Sequence, residues 1–102
     1  MADKTYIELY KNDKSTIQLN LFNRDTGEPF EPSGAYYKIK GSVKDNPLIP
    51  RSPARVYQNA VWATVTQSIT SSAGEYDLHW EIHRVDGDIT NHCTKVLVLD
   101  DC

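Results

Sequence analysis

Three histidines, two cysteines and fourteen acidic residues are the groups with which this chain of 102 residues could do chemistry. His79 and His83 stand four residues apart on the outward side of a strand-like run. That is roughly 13 Å along an extended chain, too far for one metal to bridge. If the hairpin turn is centred on Asp86-Gly87, His92 falls opposite Glu81 and diagonal to both histidines. A His, His, Glu patch carries donors that zinc accepts. Here it would lie on an open sheet face with nothing to orient the rings, so a solvated polar face or a subunit contact, without metal, is favoured. Glu75, Asp77 and Glu81 project from that same face. Acid–base chemistry needs carboxylates that converge in a cleft, so these read as solvated charges. Cys93 is expected to be an inert packed thiol in mid-strand. The sequence holds no Gly-x-Ser-x-Gly, phosphate-cradling or dinucleotide motif, and Asp86-Gly87-Asp88 reads as hairpin chemistry, not a calcium loop. No cofactor is called for, and an enzyme is the least supported class.

The aromatics carry more. Tyr6, Tyr10, Tyr36, Tyr57 and Trp62 fall at outward or loop-edge positions by alternation. Exposed aromatics give large contact area at low entropy cost, which suits protein–protein contact first. The candidate partner-binding residues are therefore Tyr10, Tyr36, Tyr57 and Trp62, joined by Pro47, Leu48, Ile49, Pro50 and Arg51. These last five belong to the Asp45 to Ala54 stretch, which three prolines mark as a long contact loop. The alternative use is stacking on sugar rings, in a glycan-binding module for host adhesion. It needs Trp62 and Tyr57 or Tyr36 on one face, beside polar residues such as Asn59 and Gln67.

Strands must position these groups. Eight Thr, seven Val and seven Ile, with 10% aromatics, predict an all-β chain. Ile17, Leu19 and Leu21 alternate with Thr16, Gln18 and Asn20. Tyr37, Ile39, Gly41 and Val43 alternate with a lysine-rich side that faces water. Val61, Ala63, Val65 and Ile69 form the apolar set of the Arg55 to Ile69 run, and Tyr76, Leu78, Trp80 and Ile82 that of the clearest strand. Asp25 to Pro29 and Thr70 to Gly74 are turns. The final run, Ile89 to Leu99, holds a conflict. The symmetric turn pairs Leu78 with Lys95 and sends Val96 and Val98 to solvent. A bulge near Cys93 to Lys95, or a longer turn that shifts the register, would bury the valines instead. Coverage of both faces by a partner is the third solution.

Six or seven strands in 102 residues predict one domain over 1–102, a two-sheet antiparallel sandwich, with a closed barrel as the lesser option. A net charge of −3 leaves no footprint for nucleic acid, and no apolar run approaches a membrane span. Met1-Ala2-Asp3-Lys4 lacks the apolar core of a signal peptide, so synthesis in a cytoplasm is expected. Cys93 and Cys102 are then free thiols.

Ser72-Ala73-Gly74-Glu75-Tyr76-Asp77-Leu78 resembles the Asp-x-Gly-x-Tyr-x-Cys stretch of immunoglobulin-like domains, with Ser72 in place of the Asp and Leu78 in place of the Cys. The resemblance implies that Tyr76 forms a tyrosine corner. With no cysteine pair between the sheets, burial alone would hold the sandwich. The wider layout is similar to the N-terminal immunoglobulin-like domain of phage upper-baseplate proteins and to related small domains on phage tails and capsids. It comprises Ser15 to Leu21, Asp25-Thr26-Gly27-Glu28-Pro29, a Tyr/Lys/Ile strand, a Pro-rich excursion, Ala73 to Tyr76 and the Val85-Asp86-Gly87 hairpin. What this implies is a non-enzymatic virion component that docks onto a larger particle. Its length suits a tail, neck, head-fibre or capsid-decoration subunit. Its partners would be other virion proteins, with a homo-oligomer or many copies per particle, and no catalytic residue is carried over. A bacterial adaptor outside any virus is the third class.

Overall fold

The computed structural model describes residues 6–41 and 48–100. Within them the chain forms strands β1 (Tyr6–Tyr10), β2 (Ser15–Asn20), β3 (Gly34–Gly41), β4 (Ile49–Pro53), β5 (Arg55–Tyr57) and β6 (Ala60–Val65). A single helical turn, α1 (Gln67–Thr70), precedes β7 (Gly74–His83) and β8 (Ile89–Leu99). They build a five-stranded sheet in the order β1-β8-β7-β3-β4 and a three-stranded sheet in the order β2-β6-β5. Two sheets and a mostly β chain agree with the sandwich expectation.

Four details depart from it. Eight strands are described, not six or seven. The Pro-rich stretch is not wholly a loop, because Ile49–Pro53 pairs with β3, placing Tyr36 opposite Pro53 and Tyr37 opposite Ser52. Proline is tolerated there because β4 is an edge strand, where a missing N–H costs no ladder bond. The long Arg55 to Ile69 run also splits. A two-residue turn at Gln58-Asn59 reverses it, with Gln58 at φ 54°, a left-handed conformation no glycine signalled. Finally, the sandwich is not purely antiparallel: β1 runs parallel to β8, with Ile7 opposite Val96 and Leu9 opposite Val98.

The core lies between the sheets and follows the alternation. Ile17, Ile39, Val61, Ala63, Val65, Leu78, Trp80 and Ile82 are buried, and Ile69 on α1 closes one end. The indole N–H of buried Trp80 donates to Thr94 Oγ1 at 3.1 Å, so no polar hydrogen is stranded in the core. The hydroxyl of Tyr76 donates to Ser72 O at 2.7 Å, with Ile69 O also in reach at 3.2 Å, and ties the start of β7 back to α1. Burial raises the phenol's pKa above its ordinary value.

The register conflict in the last strand is solved by the turn. Five residues, Arg84 to Asp88, separate the paired His83 and Ile89. Gly87 N–H donates to Arg84 O at 3.0 Å, and Gly87 takes φ 98°. The odd loop shifts every pair by one residue: Leu78 meets Thr94, Trp80 meets His92 and Tyr76 meets Val96. Val96 and Val98 are thereby buried, and Lys95 turns outward to Asp77 (2.8 Å) and Glu75 (3.5 Å). The ladder runs unbroken from Gly74 opposite Val98 to His83 opposite Ile89, so no bulge is needed.

Candidate functional site

The same one-residue shift dismantles the histidine patch. His92 pairs with Trp80 and shares its side of the sheet, whereas His79, Glu81 and His83 occupy the other. Among the described residues no three His, Cys, Asp or Glu side chains gather as metal ligands. Cys93 is not packed. It is exposed, opposite His79.

The predicted contact residues divide between two faces. Tyr36 and Arg51 meet on the outer face of the five-stranded sheet, because β4 lies beside β3. The Arg51 guanidinium lies 3.7 Å from the centre of the Tyr36 ring. It donates from both Nε (3.1 Å) and Nη2 (2.8 Å) to the two Glu81 oxygens. His83 Nε2 pairs with Glu81 Oε2, and its ring meets Tyr36 edge-on at 5.4 Å. A bidentate guanidinium stacked on a ring is held more rigidly than a single ion pair. Of the neighbouring residues, Pro50 is exposed, Leu48 is 60% exposed, and Ile49 is half-buried against the core. Pro47 lies outside the described residues. Glu81 and His83 were not among the predicted contacts, since their link to Arg51 depends on reading 49–53 as a strand.

Arg51 and then His83 hold the Glu81 carboxyl at about 2, down from an ordinary 4.5. A carboxyl that titrates lower when folded stabilises the fold above its ordinary value and loses that contribution as the pH falls. Glu81→Gln is therefore expected to flatten the acid limb of stability between pH 4.5 and about 2. Urea melts across that range check it. Because the group is still partly open to water, the effect is small and should shrink further in high salt.

Tyr57 and Trp62 occupy the outer face of the three-stranded sheet. Register places Trp62 between Gln18 on β2 and Arg55 on β5. Its indole N–H donates to Gln18 Oε1 at 3.2 Å, which fixes the ring. Tyr57 stands one step along β5 and is 65% exposed. Trp62, Tyr57, Arg55, Thr16 and Thr64, with Tyr37 of the other sheet, line an open groove of about 760 Å³. Tyr36 lies on the other sheet and is not part of it. The polar flank foreseen for this face is also different: Asn59 donates to Leu21 O and Gln67 to Asn12 O, so both amides are committed to backbone. Arg55 and the two threonines take their place, a grouping the alternation about Trp62 could have supplied had the Gln58-Asn59 turn been recognised. Tyr10, on edge strand β1, belongs to neither group. The open mouth between the sheets, about 450 Å³, has Phe22 at its rim, with Arg84 stacked 4.4 Å from the Phe30 ring.

Two separate surfaces, then, carry rigid aromatic side chains: one a closed charge network, the other a groove with polar groups not yet engaged. No helix among the described residues is long and apolar enough to cross a membrane. Comparisons of the chain with protein-family models, curated proteins and solved structures find no match.

Proposed function

We propose that the chain is an immunoglobulin-like sandwich acting as a non-enzymatic docking component of a bacteriophage particle, bound to other virion proteins. The immunoglobulin-like reading is supported by the edge strand β1 running parallel to β8, by β2-β6-β5 as the facing sheet, and by the Tyr76 hydroxyl bonding back to Ser72 O. The phage assignment draws on the layout resemblance. Docking through the outer face of the five-stranded sheet rests chiefly on one observation: Arg51 clamped by Glu81 and laid flat on Tyr36. Tyr and Arg dominate interface hot spots, and a pair already ordered before contact has less side-chain freedom to lose. A stable contact needs about 800 Å² from each partner, so it would extend beyond the Tyr36–Arg51 pair to the adjoining β4 edge with exposed Leu48.

The test is reconstitution. Tagged chain produced during phage growth is expected to co-sediment with purified particles, and Arg51→Ala to weaken its affinity for them at least about thirtyfold, as loss of a hot spot does. Absence from particles and from every phage protein complex overturns the reading.

A further inference from the structure

We propose that the groove around Trp62 binds a pyranose bearing a carboxylate, a uronic or sialic acid unit of a glycan. This inference does not rest on the docking reading, which concerns the outer face around Tyr36 and Arg51, although Tyr37 and Pro53 of that sheet reach the margin of the groove. Trp62 offers a ring whose only polar atom is already satisfied by Gln18, so its face is fixed and free to stack on the apolar side of a sugar. Around it stand the hydroxyls of Thr16, Thr64 and Tyr57, none engaged in a side-chain hydrogen bond among the described residues, and the Arg55 guanidinium. Small-ligand sites combine apolar or aromatic walls with a few placed polar groups, and an aromatic platform with uncommitted donors and acceptors at its margin suits a sugar ring.

Charge selects the class of sugar. Arg55 is the only charged residue lining the groove, and no acid among the described residues pairs with it. This contrasts with Arg51, whose Nε and Nη2 both bond the Glu81 carboxylate. An unpaired guanidinium presents a planar fork that matches a carboxylate in two parallel hydrogen bonds. A neutral sugar offers that fork only hydroxyl oxygens, without the charge-assisted pair of parallel bonds that a carboxylate makes.

Amide NMR titrations of the intact chain with trigalacturonate, sialyllactose and lactose test this. The two acidic probes separate uronate from sialate, and a response to either supports the proposal. The expected result is saturable movement of the Trp62 indole N–H and of β5 and β6 amides, with lactose at least about tenfold weaker. Trp62→Ala should abolish the response, and Arg55→Gln should remove the preference for acid over lactose while leaving the amide spectrum otherwise folded. If Trp62→Ala fails to fold, Tyr57→Ala and Arg55→Gln carry the comparison. Lactose binding as well as the acidic sugars, movement confined to residues outside the groove, or no movement at millimolar sugar overturns it.

Discussion

Trp80→Ala is expected to lower the unfolding free energy by about 3–5 kcal/mol, the usual range for truncating a buried aromatic. The ring is fully buried and packs against Tyr37 at 6.4 Å between centroids. Its removal leaves a cavity walled by both sheets and takes the indole donor away from the buried Thr94 hydroxyl. Small domains have only about 5–15 kcal/mol in total, so the variant should melt at markedly lower urea. Trp62→Ala is the control. That residue lies on an outer face and should cost far less. Equal costs for the two would mean that the inner and outer faces have been exchanged.

Val96→Asp is expected to prevent cooperative folding, while Lys95→Ala changes stability by no more than about 1 kcal/mol. Val96 is fully buried opposite Tyr76 on one side and Ile7 on the other, where a carboxylate would be stripped of water. Lys95 holds Asp77 and Glu75 at the surface. A symmetric two-residue turn would reverse these effects, because every side chain of a strand changes face when its register slips by one. Circular dichroism melts of the two variants distinguish the registers directly.

Much of the sandwich is legible in the residues. Ile17 on β2, Val61 to Val65 on β6 and Tyr76 to Ile82 on β7 are buried as their period of two requires. What escapes is set by non-local pairing. The Ile49–Pro53 segment reads as a loop because its prolines weaken any local strand signal, and only its neighbour β3 makes it an edge. The turn at Gln58 has no glycine to announce it, and the five-residue loop before β8 is chosen by the need to bury Val96 and Val98 rather than by Asp86-Gly87 alone. The candidate surfaces follow the same division. Tyr36, Tyr57 and Trp62 stand out by alternation, but Glu81 and Gln18 come from strands distant in sequence, and Arg55 comes beside Trp62 only through the turn at Gln58-Asn59.

The parallel pairing of β1 with β8 joins strands from opposite ends of the sequence. If tension draws β1 by its leading end and β8 by its trailing end, the two slide lengthwise past each other. The rungs between them then resist side by side instead of parting one after another, as they would in a hairpin pulled open from its mouth. Forced rupture is governed by the height of the unfolding barrier, not by equilibrium stability. A sandwich stitched in this way would therefore act as a shear joint, holding against a pull between its ends that exceeds what its modest core would suggest.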